Sequence, residues 1–154
     1  MENKNLHIID KNILISIINN INNGQSNKAL ATLEQLINEF PDQALLFNLR
    51  GACYEVTNQF EQSIENFSKA IELHPNYAEA FYNLGVVQKK VGKIDDAIHS
   101  YKKAIDIDSS NANTYNNLGN LLAQKGLFIQ SIDYFNRALS LNPNFAEAHN
   151  NLGL

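Results

Sequence analysis

The hydrophobic and polar positions of this chain repeat every 34 residues. Residues 73–85 return almost unchanged at residues 141–153, two such periods later, and residues 114–119 carry a third copy midway between them. Glycine recurs at the same interval, at positions 51, 85, 119 and 153. A period of about 20–50 residues is typical of stacked structural units, because each unit buries its apolar face against the next.

Each period is predicted to contain two helices joined by a tight turn. Asn58, Gly92 and Gly126 suit that turn, because a left-handed backbone conformation is often needed there. Pro75 and Pro143 end the second helix, because proline cannot continue it. The chain is therefore predicted to be all-α, with helices near residues 11–23, 26–39, 44–57, 60–72, 78–91, 94–106, 112–125, 128–140 and 146–153.

The small and aromatic residues of the pattern predict how the two helices pack. Glycine inside a helix costs about 1 kcal/mol relative to alanine, so its recurrence indicates that two helices approach closely there. Ala97 and Ala104, seven residues apart on one helix face, are expected to allow the same approach from the second helix. Phe67, Tyr101 and Phe135 are expected to fill the space between hairpins, and each buried ring contributes about 1.5–3 kcal/mol.

These residues resemble the tetratricopeptide repeat, whose pattern runs from an aromatic through Leu-Gly and Tyr to a small residue, a second aromatic and a proline. Residues 44–77 match it with Phe47, Gly51, Tyr54, Ser63, Phe67, Ala70 and Pro75. The departures are Arg50 at the Leu position, Gln88 and Leu122 at the Tyr position, and Ser109 at the Pro position. The resemblance implies a right-handed superhelix, an α-solenoid of antiparallel helix pairs whose first helices line the concave side.

The 34-residue register divides the chain into six expected segments. A degenerate repeat at 10–43 carries Ile17 at the glycine position, with Ala29, Leu33 and Pro41 at the small, bulky and proline positions. The other segments are an N-terminal arm at 1–9, complete repeats at 44–77, 78–111 and 112–145, and the first helix of a further repeat at 146–154.

Composition narrows the possible settings and partners. A hydrophobic fraction of 44% with a charged fraction of 18% indicates a folded chain rather than a disordered one. The net charge is −4 and the basic residues are scattered, so no nucleic-acid partner is expected. The single cysteine, Cys53, excludes an internal disulfide and fits a reducing compartment, so a cytoplasmic location is expected. The apolar stretch at 13–18 is too short to cross a membrane and is followed by no cleavage site.

No arrangement of reactive residues predicts catalysis. The four histidines occupy different positions of the repeat and form no metal-binding pair: His7, His74, His99 and His149. Cys53 has no neighbouring cation and is expected to be a buried small apolar residue. Asp95 and Asp96 begin a helix, where the helix dipole favours carboxylates. We therefore expect no catalytic residue, no bound metal and no cofactor, and we predict that the chain is not an enzyme.

Asparagines recur in register beside the Leu-Gly pair, which indicates a binding surface. An Asn amide both donates and accepts hydrogen bonds, so it can pair with any peptide backbone. The arrangement is similar to the asparagine ladder in the superhelix of O-linked N-acetylglucosamine transferase, although an Asn-rich chain also places Asn on exposed faces without function. The groove residues implied by the resemblance are Asn48, Tyr82, Asn83, Asn116, Asn117, Asn120, Gln124, Asn150 and Asn151.

The same resemblance argues against one kind of ligand. Relatives that bind chaperone tails hold the terminal carboxylates with Lys and Arg at set first-helix positions. Here those positions carry Asn48, Asn113 and Asn117, so a chaperone-tail receptor is not expected. Lys89 and Lys90 either form a solvated pair or attract an acidic ligand.

The predicted function is a protein–protein interaction scaffold that binds a peptide or protein segment in the concave groove, with no membrane partner. One alternative is the recognition arm of a longer enzyme, such as a glycosyltransferase, with its catalytic domain beyond residue 154. Another is a self-assembling structural scaffold. Residues 146–154 are expected to cover the helix at 128–140 only in part, through Ala148, Leu152 and Leu154. The remaining apolar strip predicts weak self-association through this C-terminal end.

Overall fold

The computed structural model describes residues 9–153, which form nine helices and no strand. The helices are α1 (Lys11–Asn22), α2 (Ser26–Glu39), α3 (Ala44–Val56), α4 (Phe60–Leu73), α5 (Ala78–Lys90), α6 (Ile94–Ile107), α7 (Ala112–Gln124), α8 (Phe128–Leu141) and α9 (Ala146–Leu152). Every predicted helix boundary is confirmed to within one residue. His7, Leu154 and nearly all of the expected arm at 1–9 lie outside the described residues.

The helices stack as antiparallel pairs, α1 with α2 through α7 with α8, and α9 packs on α8. First helices also contact one another, as in α1–α3, α3–α5 and α7–α9, whereas second helices make no comparable contact within residues 9–153. The first helices therefore lie on the inner side of the curve, and the predicted solenoid with its concave first-helix face is confirmed. No helix in this part of the chain combines the length and apolar character needed to span a bilayer.

The turn inside each hairpin depends on one left-handed residue. Asn58, Gly92 and Gly126 have φ of 59°, 79° and 77°, as predicted, and Gly24 has the same conformation with φ of 71°. The first helices end one residue earlier than predicted. The residue before each left-handed position, such as Val91 with φ −90° and ψ 7°, has already left helical geometry to enter the turn.

Each complete hairpin is closed by a glycine from its first helix and an aromatic ring from its second. A Cβ added to Gly51, Gly85 or Gly119 would lie 2.6–2.8 Å from the ring of Phe67, Tyr101 or Phe135, respectively. These rings are buried, which confirms the expected close approach. Phe67 also packs with residues of α5 and Tyr101 with residues of α7, as expected for rings that fill the space between hairpins. In the first of these hairpins the Ser63 hydroxyl also donates a 2.8 Å hydrogen bond to the Gly51 carbonyl.

The two helices of the first hairpin approach each other less closely than those of the complete hairpins. Ile17 replaces the glycine of α1, and Leu33 replaces the aromatic residue of α2. Both are fully buried in one core cluster with Ala29. Isoleucine adds more volume at the glycine position than leucine removes at the aromatic position, so the two helices lie farther apart while both side chains stay buried.

Tyr101 is the one buried ring of this set that carries a hydroxyl. That oxygen is fully buried and has no hydrogen-bond partner among the described residues. An unsatisfied buried polar group costs about 1–3 kcal/mol. Phe67 and Phe135 fill the equivalent positions without a hydroxyl. We expect Tyr101→Phe to raise the free energy of unfolding by about 1 kcal/mol, measured by urea denaturation.

Tyr134→Phe is the matched control, because Tyr134 is only half-buried and its hydroxyl can reach water. Its unfolding free energy should change by less than about 0.5 kcal/mol. An unchanged or lower stability of Tyr101→Phe would mean that the Tyr101 hydroxyl is satisfied in solution.

Candidate ligand-binding groove

The groove is the concave surface formed by the first helices α1, α3, α5, α7 and α9. The nine residues expected to line it fall into three groups by exposure. Asn48 and Asn116 are buried, with 1% of each accessible to solvent. The half-buried members are Tyr82, Asn83, Asn117 and Asn120, and the exposed members are Gln124, Asn150 and Asn151.

Three of these residues, Asn83, Asn117 and Asn151, are tethered in the same way, and we call them the groove amides. The Asn83 Nδ2 donates to the Asn48 Oδ1 at 3.1 Å, across 35 residues of sequence. The equivalent bonds run from Asn117 Nδ2 to Tyr82 Oη at 3.5 Å and from Asn151 Nδ2 to Asn116 Oδ1 at 3.0 Å. Each bond joins a first helix to the preceding first helix, a pairing that the sequence analysis did not predict.

The tether leaves hydrogen-bonding capacity unused in each amide. An Asn side chain has two N–H donors and a carbonyl oxygen with two lone pairs. Within residues 9–153, the Oδ1 of Asn83 and of Asn151 accepts no hydrogen bond, and each Nδ2 uses one donor. The Oδ1 of Asn117 accepts from Lys89 Nζ at 3.2 Å. The amides are therefore held in a fixed orientation, which lowers the entropy lost when a ligand binds.

Asn48 lies beneath the groove and is satisfied by the protein itself. Its Nδ2 donates to Tyr77 Oη at 3.3 Å and to Glu79 Oε1 at 3.2 Å. Burial and then the Glu79 charge raise the pKa of Tyr77 to about 12, against the opposing effect of the Asn48 bond. Asn48 therefore supports the groove amide of Asn83, and Asn116 accepts the equivalent bond from Asn151.

Polar contacts continue along the groove between successive first helices. Lys90 Nζ pairs with Glu55 Oε1 at 2.6 Å, and Asn120 Nδ2 donates to Glu147 Oε1 at 3.4 Å. Gln124 and Asn150 form no side-chain hydrogen bond with any other described residue, so their amides face solvent. The sequence analysis missed the Glu55–Lys90 pair, although its 35-residue separation matches that of the amide tethers.

The remaining chemically interesting side chains are separated from one another. His149 Nε2 bonds the Pro143 carbonyl oxygen at 2.8 Å, and Asp95 pairs with Lys125 rather than with a second carboxylate. Cys53 is fully buried, and burial raises the pKa of its thiol to about 11. Residues 9–153 contain no group of three or more His, Cys, Asp or Glu side chains placed to hold a metal ion.

Comparison with known families agrees with the repeat pattern. Residues 57–92 and 90–126 match the family described as TPR repeat. Residues 112–145 and 17–42 match families described as tetratricopeptide repeat. None of the curated protein sequences matches this chain.

Solved structures share the fold at low sequence identity. A crystal structure of MamA is 21% identical, covers 95% of this chain and 82% of its own, and has a TM-score of 0.81. A chain of the APC/C hetero-tetramer Cut9-Hcn1 is 20% identical with a TM-score of 0.83, covering 92% of this chain and 28% of its own. The first TPR of Spaghetti (RPAP3), bound to the HSP90 peptide SRMEEVD, is 21% identical with a TM-score of 0.70, covering 72% and 88%.

The raised pKa of Cys53 predicts a loss of stability in alkali. The folded chain keeps the thiol protonated up to about pH 11, whereas the unfolded chain releases the proton above its ordinary pKa of 9.0. Unfolding is therefore favoured as pH rises from about 9 towards 11. Between pH 8 and pH 10, wild type should lose about 1 kcal/mol more unfolding free energy than Cys53→Ala. Equal losses in the two proteins would show that the thiol does not titrate differently on folding.

Proposed function

Because this chain belongs to the tetratricopeptide repeat family, we propose that it is a protein-interaction scaffold that holds a peptide or protein segment in its groove. The observation that carries this proposal is the set of three groove amides, each tethered to the preceding repeat and each presenting further hydrogen-bonding atoms. We assign the chain no catalysis of its own. The buried free thiol of Cys53 fits a reducing setting such as the cytoplasm.

The spacing of the groove amides suits an extended backbone. Packed helix axes lie about 8–10 Å apart, and an extended chain advances about 3.3 Å per residue. One groove amide therefore meets roughly every third residue of a bound segment. Because an amide pairs with any peptide bond, this contact holds the backbone without reading the side chains.

The comparison with RPAP3 supports a peptide ligand and indicates that its chemistry differs here. That protein is bound to an HSP90 peptide ending in Glu-Glu-Val-Asp. In this chain the positions that would supply the cations of a dicarboxylate clamp carry a buried Asn48, an exposed Asn113 and the tethered Asn117. We therefore propose a segment bound through its backbone, rather than an acidic tail bound through its carboxylates. The net charge of −4 also favours a protein partner over a nucleic acid.

A second candidate function is self-association through α8. The side chains of Phe128, Ile129 and Ile132 are 64%, 81% and 46% exposed. At the positions equivalent to Phe128 and Ile132, the internal second helices pack against the following first helix, as Phe60 and Ile64 do against α5. Contiguous exposed apolar surface of this kind marks association sites. We propose that a second copy of the chain covers this patch.

Replacing Asn83, Asn117 and Asn151 together with Ala tests the groove. Each lost ligand hydrogen bond should cost about 0.5–1.5 kcal/mol. A peptide selected from a displayed random library against wild type should therefore bind the variant at least about tenfold more weakly by calorimetry. The variant also loses its tethers, so helicity by circular dichroism and the unfolding midpoint must show a folded protein at the assay temperature.

The matched control replaces Asn27, Asn38 and Asn136 with Ala. These residues are exposed on second helices and form no side-chain hydrogen bond with described residues. This control should bind the peptide as wild type does. Equal affinity of the groove variant and the control would remove the groove amides from the binding site.

Light scattering over a concentration series tests self-association. Wild type should show a mass that rises with concentration, and Ile129→Lys/Ile132→Lys should remain monomeric, because two charges would be buried unpaired. Gln130→Lys/Asn136→Lys adds the same charge to exposed sites on the same helix and should behave as wild type. A wild-type mass that stays monomeric at high concentration would contradict the proposal.

A further inference from the structure

The side chains at equivalent groove positions change from aliphatic to polar along the length of the groove. The position held by the groove amides in α5, α7 and α9 is occupied by Leu49 in α3 and by Ile15 in α1. The next groove position along each helix, one turn later, carries Ile18, Ala52 and Val86 before it becomes Asn120 in α7. At the first of these positions α1 and α3 therefore carry aliphatic side chains, Ile15 exposed and Leu49 buried, where α5, α7 and α9 carry amides.

The contacts between first helices change in the same direction. Toward the C-terminus, Asn120 bonds Glu147 across 27 residues, and Lys89 bonds Asn117 across 28. Between α1 and α3, the same separations relate Ile18 to Leu45 and Ile21 to Leu49. The 35-residue separation of the Glu55–Lys90 ion pair relates Ile21 to Val56. Three polar contacts between first helices of the later repeats thus correspond, between α1 and α3, to pairs of aliphatic residues.

Four of these aliphatic side chains are open to solvent, and we call them the aliphatic end of the groove. Ile15 and Ile18 on α1 are 46% and 43% exposed, and Leu45 and Val56 on α3 are 37% and 51% exposed. The core of the first hairpin does not require them, because Ile17, Ala29 and Leu33 form it. Glu55, the carboxylate beside this end, is already paired with Lys90.

Another copy of the chain does not fit this end by the stacking used between repeats. In α7, Leu118, Leu121 and Leu122 pack against α6. The equivalent positions of α1 are Ser16, Asn19 and Asn20, so α1 has no apolar face to stack on a preceding second helix. The aliphatic end instead continues the concave surface that carries the groove amides. The same extended segment can pass over both.

We propose that the groove selects a peptide segment with a cluster of two or more aliphatic side chains at one end. The cluster binds Ile15, Ile18, Leu45 and Val56, and the rest of the segment is held through its backbone by the groove amides. At about 8–10 Å between helix axes and about 3.3 Å per residue, the cluster lies roughly three to six residues from the backbone-held stretch. This inference rests on the proposed peptide-binding function and adds the side-chain chemistry that gives it selectivity.

Selection of 16-residue peptides from a displayed random library tests the inference directly. Sequences enriched by wild type should carry Ile, Leu, Val or Met clustered at one end only. Ile15→Asn/Ile18→Asn places on α1 the residues found at these positions in α7, and sequences enriched by it should lack the cluster. A cluster-bearing peptide should also bind this variant about tenfold more weakly than wild type.

The matched control is Leu127→Asn/Leu141→Asn, which replaces two exposed leucines outside both the groove and the α8 patch. It should enrich the same cluster as wild type, and circular dichroism should show both variants folded. The inference is overturned if wild-type sequences lack the cluster, if the α1 variant still enriches it, or if the control loses it. It is also overturned if the α1 variant alone lowers the mass in light scattering, because the occupant is then a second copy.

The two proposals fail in distinguishable ways. If wild type enriches no peptide, both the peptide-binding function and the aliphatic selectivity fail. If enriched peptides depend on Asn83, Asn117 and Asn151 but carry no aliphatic cluster, the groove function stands and only this inference fails.

Discussion

The contact between a glycine in one helix and an aromatic ring in the next is the constraint on which this structure depends. At Gly51, Gly85 and Gly119 a single added carbon would lie within 2.8 Å of a ring atom. This contact sets how closely the two helices of a hairpin approach. The groove exists because the hairpins stack with their first helices in contact with one another, which places those helices on the inner side.

The sequence predicted most of the fold because the packing units are local. Glycine, ring and turn residue of a hairpin lie within one period, so their spacing alone places the helices to within one residue. The groove was harder to predict, because each tether joins residues 35 positions apart and its partner varies. Asn48 and Asn83 look alike in sequence, yet one is buried beneath the other and bonded to it. Burial of a polar side chain follows from the stacking of neighbouring repeats, which no single repeat encodes.

The first hairpin shows what a sequence pattern measures and what it omits. Ile17 departs from the glycine rule, and a pattern counts that as a loss of the repeat. The structure retains the hairpin because its two helices lie farther apart and hold Ile17 and Leu33 in one buried cluster. The physical requirement is a filled interface between the two helices, and a pattern written one position at a time does not represent how far apart the helices lie.

The tethers are confined to the inner edge of the solenoid, and this has a mechanical consequence. Second helices on the outer edge make no comparable contact within residues 9–153, so that edge resists bending mainly through apolar packing. Opening the curve would stretch the few hydrogen bonds made by the groove amides, each of which contributes about 0.5–1.5 kcal/mol. The hairpin cores would stay intact. The resistance of the solenoid to opening therefore depends on residues of its ligand-facing surface. A partner that engages those amides acts on the curvature of the whole array as well as on its own affinity.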